Sequence, residues 1–96
     1  MTPRYGATEA SKATGFTPEY FNTTWERQKG LCAICRIDLH TVARGQCHAD
    51  HDHVTGHTRG ILCAHCNWGL GHFKDNAPFL LAAAEYIITH QVKDLL

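Results

Sequence analysis

Long apolar runs are missing from this 96-residue chain. Its first fifteen residues set Pro3, Arg4, Glu9 and Lys12 among small side chains, which suits neither a signal peptide nor a membrane span, and a cytoplasmic protein is expected. Net charge is missing as well. Nine Lys and Arg offset nine Asp and Glu, so overall charge gives no reason to expect a polyanionic partner, and any such case rests on local chemistry. No internal repeat occurs. A chain this short holds one core, and it buries only about 60–65% of the surface its unfolded form exposes, so its stability margin is thin.

Two residue types run the other way. Five cysteines with no sign of export favour metal ligation over disulfides. Eight histidines are also many for this length, and most lie between His48 and His72, where they can serve as ligands or as bases near neutral pH.

The pattern predicts a flexible arm over residues 1–16 and a single α+β domain over 17–96. A helix is predicted over 18–29, with Thr17 as its cap, Pro18 in its first turn and Gly30 in the left-handed position past its end. Tyr20, Phe21, Thr24 and Trp25 form its apolar side. Short strands are expected at 46–51 and 60–62 about a Thr55-Gly56 turn, then a helix over 67–74. A last helix over 78–92 carries Leu80, Leu81, Ala84, Ile87 and Ile88 on one side, and is expected to pack on the first helix and close the core.

Cys32-x2-Cys35 and Cys63-x2-Cys66 are two knuckles, each able to aim both sulfurs at one point, and together they make a tetrahedral four-sulfur site. Four cysteines leave no position open for substrate, so the zinc is expected to be structural. In zinc-finger peptides such sites supply on the order of 10–16 kcal/mol of folding free energy. Iron–sulfur ligation or a redox dithiol is the alternative. Cys47 reads as a small, half-buried strand residue, with ligation by Cys47 or His48 as the other reading.

Between the knuckles lies Asp50-His51-Asp52-His53, followed by Arg59-Gly60, and Asn67 comes directly after Cys66. Carboxylate, imidazole and amide oxygen suit a hard divalent cation beside a general base. Alone, the run reads equally as a solvated turn or a two-histidine zinc site. Its place between the knuckles favours a site that zinc pre-organises without belonging to it. In a regular strand Asp50 and His51 face opposite sides, so bringing both to one site needs a departure from extended geometry.

At these residues the sequence resembles the recombination endonuclease VII family, within the HNH (ββα-metal, His-Me finger) nucleases. The likeness runs through Cys32-Ala33-Ile34-Cys35, Asp50 to Gly56, Arg59 to Cys63, Cys66 to Gly71 and Phe73-Lys74-Asp75, and covers residues 18–92. It implies a ββα-metal core with a four-cysteine zinc site between flanking helices, and a phosphodiester hydrolase acting on DNA. Cys32, Cys35, Cys63 and Cys66 would hold structural zinc. Asp50 and Asn67 would bind catalytic Mg²⁺ or Mn²⁺, His51 would activate water, and His53 would contact the phosphate or support the site. Leu70 stands where a well-studied member has an acidic residue. The central Asn of the HNH name has no counterpart between Asp52 and Cys63.

Arg27, Lys29, Arg36, Arg44 and Arg59 against Asp38, Asp50 and Asp52 make a locally basic face once an ion neutralises two of the acids. Arg59 and Arg44 are the candidate phosphate contacts. No feature predicts base-specific readout. The likeness further implies a phage protein working in a bacterial host, with terminase or other packaging proteins as a partner. Two other functions compete: a non-catalytic zinc-binding nucleic-acid module, and a protein-interaction module using the 78–92 helix.

Overall fold

A computed structural model describes residues 17–95, so the arm expected over 1–16 lies outside the described residues. Helix α1 spans Pro18–Arg27. The Thr17 hydroxyl oxygen accepts from the Tyr20 N–H at 3.2 Å, as the sequence suggests, and Pro18 fills the first position, where no N–H is needed. The helix stops two residues short of its predicted end because both Lys29 (φ 58°) and Gly30 (φ 70°) are left-handed. Gly30 N–H then donates to Trp25 O at 3.0 Å. Phe21, Thr24 and Trp25 are buried, while Tyr20 is left at the surface.

The first knuckle follows as a small loop closed by the Leu31–Asp38 bridge and by Cys32 N–H donating to Ile37 O. After a short 3₁₀ turn at Arg44–Gln46 come strands β1 (Cys47–His51) and β2 (Thr58–Cys63), paired antiparallel. The loop between them is tied by Asp52, whose Oδ1 accepts from the Val54 and Thr55 N–H groups. Helix α2 (Ala64–His72) continues directly from β2. It starts three residues before the predicted position, because Cys63 itself is its N-cap and the second knuckle is the strand end plus the first helical turn. Helix α3 (Ala77–Leu95) is entered through Asn76, whose Oδ1 accepts from Phe79 N–H.

A two-stranded hairpin is marginal by itself, and β2 needs a partner on its outer edge. The Gln28 side chain provides one. Its Oε1 accepts from Ile61 N–H at 3.0 Å, and its Nε2 donates to Ile61 O at 2.9 Å and Leu31 O at 2.8 Å. Ala33 N–H, from the first knuckle, also donates to Ile61 O. Trp25, Leu39 and Ile61 are fully buried at the centre, with Phe21, Cys32, Leu62 and Cys63 around them.

Among the described residues, none of α3 belongs to this core, which corrects the expectation that the last helix closes it. Phe79, Leu81, Tyr86, Ile87 and Ile88 are all exposed. Leu81, Ile87 and Ile88 do share the predicted apolar side, but that side is left exposed, and Phe79 and Tyr86 project away from it. Among the described residues no helix is long and apolar enough to cross a membrane.

Gly60 lies beneath the Gln28 clamp: a Cβ there would sit 2.9 Å from Gln28 Oε1, an atom pinned by the bonds above. Gly60→Ala is expected to destabilise the zinc-loaded protein by about 1–3 kcal/mol, read from its urea midpoint. In a Gln28→Ala background the same change should cost much less; an equal cost would show that the amide is not what crowds the position.

Candidate metal centre and adjoining cleft

The two knuckles meet. Ligand atoms of Cys32, Cys35, Cys63 and Cys66 all lie within 4.8 Å of one another, the only such grouping of His, Cys, Asp or Glu among the described residues. Zinc–sulfur bonds of about 2.3 Å arranged tetrahedrally place sulfurs about 3.8 Å apart, and Cys35 Sγ stands 3.7 Å from Cys63 Sγ. The electrostatics agree. Burial raises the Cys32 thiol, but N–H groups of Cys63, Ile34 and Cys35 donating into its sulfur bring it down to about 6. Cys63 and Cys66 are pushed up by burial and by the neighbouring sulfurs. Four thiolates this close ionise together only with a cation between them, so the group fits a zinc ion.

Cys47 lies outside the cluster, opposite Cys63 across the strands, and packs half-buried against the core. Burial and the charges of Cys32 and Cys63 push its thiol up to about 11. His48 is likewise outside the cluster, paired across the sheet with Leu62.

A second feature adjoins the sulfur site. Asp50, His53, Asn67, Trp68, Leu70, Gly71, His72 and Asp75 line an open cleft of about 290 Å³. Asn67 reaches it because Cys66 fixes the preceding residue of α2. Asp50 reaches it through an irregularity in the sheet. Ala49 pairs with Ile61 and His51 with Thr58, so the single residue Asp50 faces both Arg59 and Gly60. The extra residue is a β-bulge in β2, which re-aims side chains locally. The irregularity thus lies on the partner strand, and it brings Asp50 but not His51 to the cleft.

The structure brings Asp50, His53 and Asn67 together in the cleft. His51 does not line it; half-buried, its ring stands 4.8 Å from that of His53. Arg59 is turned towards acids. Its Nε donates to Asp50 Oδ2 at 2.6 Å, and Nη1 and Nη2 reach the two oxygens of Asp75 at 3.1 and 3.3 Å. With Arg27 it also lines a second hollow that shares Asp50. The side chain of Arg44 falls outside the described residues. Gly69 and Gly71 have open space where a Cβ would be, so packing within the chain does not explain them.

Asp50 is buried, yet among the described residues its Oδ1 accepts no hydrogen bond, and neither does the half-buried Asn67 amide engage a side chain or backbone group. Oxygens of a carboxylate and an amide that have no protein partner and open on one cleft fit a hard divalent cation. Trp68, His72 and Asp75 were not among the candidates drawn from the sequence. The first two become visible only as the i+1 and i+5 neighbours of Asn67 on α2, whereas Asp75 depends on how the chain leaves that helix.

A hairpin running straight into a helix, with a four-sulfur cluster at the junction and a polar cleft beside it, defines a small metal-stapled ββα domain. The chain belongs to the recombination endonuclease VII family, whose profile matches residues 7–89. It is 36% identical over 75 residues to the Gene 59 protein of Mycobacterium phage L5, and 38% identical over 74 residues to the Gene 59 protein of Mycobacterium phage D29. These matches cover 77% and 76% of this chain but only 44% of each relative, so the chain spans under half their length. No solved structure matches it.

Cys63→Ser is expected to lose both zinc and the folded state, whereas Cys47→Ser should keep one zinc per chain. Metal analysis alongside circular dichroism checks both. A folded, zinc-free Cys63→Ser protein would contradict the stapling role.

Proposed function

We propose that this domain is an HNH-type, metal-dependent DNA endonuclease. In this reading zinc is structural and the reactive ion is Mg²⁺ or Mn²⁺ in the cleft. The observation that carries the proposal is the convergence of Asp50, Asn67 and His53 beside the cysteine cluster, in a chain of this family with phage relatives. The setting is the cytoplasm of an infected bacterium, and the products keep a 5′-phosphate.

Asp50 and Asn67 hold the ion through oxygen. When bound, it stabilises the charge that develops on the phosphate and on the departing 3′ oxygen. His51 accepts the proton of the attacking water, an assistance typically worth about 10²–10⁴-fold. His53, whose ring meets that of His51, contacts the phosphate from within the cleft. Trp68, Gly71 and His72 line the same cleft and would form the wall along which the strand lies. Low sequence specificity is part of this reading.

A second assignment has an observation in its favour. His53 lines the cleft and His51 does not, which suits His53 as the proton acceptor. Plasmid nicking with Mg²⁺ or Mn²⁺, against an EDTA control, separates the possibilities. If His51 is the base, His51→Ala loses at least 10²-fold in rate and His53→Ala loses less. The reverse order transfers the role to His53. A wild-type protein that binds DNA but never nicks it points instead to a non-catalytic zinc module.

A further inference from the structure

Asp75 lies far along the chain from Asp50, and one guanidinium joins them. Arg59 gives its Nε to Asp50 Oδ2, and the Nη1 and Nη2 end of the same plane to both oxygens of Asp75. The guanidinium is a rigid planar fork, so fixing its far end fixes the side it presents to Asp50. Asp75 is delivered to this place by unusual backbone. Lys74 (φ 55°) and Asp75 (φ 57°) are consecutive left-handed residues, a conformation that disfavours L side chains, and Asp75 N–H closes back on Leu70 O at 2.8 Å. Such conformations persist where surrounding structure over-determines them, and they gather at functional sites.

Resting on the reading that Asp50 holds a divalent ion, we infer that Asp75 is a positioning residue which, through Arg59, keeps one oxygen of Asp50 available to that ion. With its end held by Asp75, Arg59 meets Asp50 through Nε alone, and Oδ1 is left without a hydrogen bond. Released from Asp75, the half-exposed guanidinium can turn side-on to Asp50 and engage both oxygens as a fork. The arginine then competes with the ion for the same carboxylate. Asp75 thereby sets the affinity for the ion without touching it.

The test is Mn²⁺ binding to the zinc-loaded full chain, followed by the electron paramagnetic resonance signal of free Mn²⁺. Asp75→Asn tolerates the left-handed backbone and removes the paired acceptor oxygens. It should raise the Mn²⁺ Kd about tenfold with zinc content and Tm unchanged. In an Arg59→Gln background the same substitution should change the Kd less than twofold. An equal loss in both backgrounds would mean that Asp75 acts directly on the ion, by charge or ligation, and would overturn the inference; so would an unchanged Kd in the first. Should Asp75→Asn lose zinc, Asp75→Gly reads the same link, because glycine accepts the left-handed backbone and carries no acceptor oxygen. Its Kd must rise, and an unchanged value overturns the inference. If the wild-type chain binds no Mn²⁺ beside its zinc, the ion-binding reading falls and this inference with it. If wild type and variants bind alike, only the inference falls.

Discussion

Four sulfur atoms drawn within 4.8 Å of one another are the constraint from which the rest of this domain follows. One pair comes from the loop after α1, and the other from the seam between β2 and α2. Joining them closes the chain over a core of only a few large side chains, Trp25, Leu39 and Ile61 foremost. A core of that size offers little beyond the entropy cost of folding, so an ion held by the four sulfurs would be the term that decides whether the chain folds. Gln28 completes the closure from the other side by giving Ile61 the backbone partners that a third strand would otherwise supply.

The same junction organises the polar cleft. Because Cys66 occupies the first turn of α2, the next residue, Asn67, has little freedom in where it stands. Because Cys63 ends β2 opposite Cys47, the hairpin register is set from that end, and the bulge at Arg59-Gly60 falls opposite Asp50. Asp50, Arg59 and Asp75 then form a chain of charge with one positive group between two negative ones. That arrangement carries a net negative charge into a cleft with hard oxygen donors. It also engages Arg59 with acids, so phosphate binding would require it to leave one of them.

Much of this is legible in the sequence because it depends on local chemistry. Spacing exposes both knuckles, Thr17 and Gly30 mark the ends of α1, and the Thr55-Gly56 turn marks the hairpin. That Asp50, His53 and Asn67 meet in one cleft agrees with their residue types and their places between and just after the knuckles. What stays hidden is tertiary. A bulge in β2 leaves no mark on the residues of β1 that it re-aims. The start of α2 at Ala64 is masked because its cap is a cysteine, a residue not normally read as a cap. The misreading of α3 has a similar cause: a count of apolar residues cannot say whether a neighbouring surface exists to receive them, and among the described residues none does. Asp75 is seen only once two left-handed residues have turned the chain back over Arg59.

The claim on which function depends is that Asp50 and Asn67 share one divalent ion apart from the sulfur cluster. Titrating Mn²⁺ into zinc-loaded, ¹⁵N-labelled protein and following paramagnetic broadening measures it directly. The expected result is early loss of the Asn67 side-chain amide signal together with the backbone signals of Asp50 and His53, at one ion per chain and with zinc retained. Broadening that spares Asn67 and Asp50, or that appears only as zinc leaves the cysteines, would contradict it.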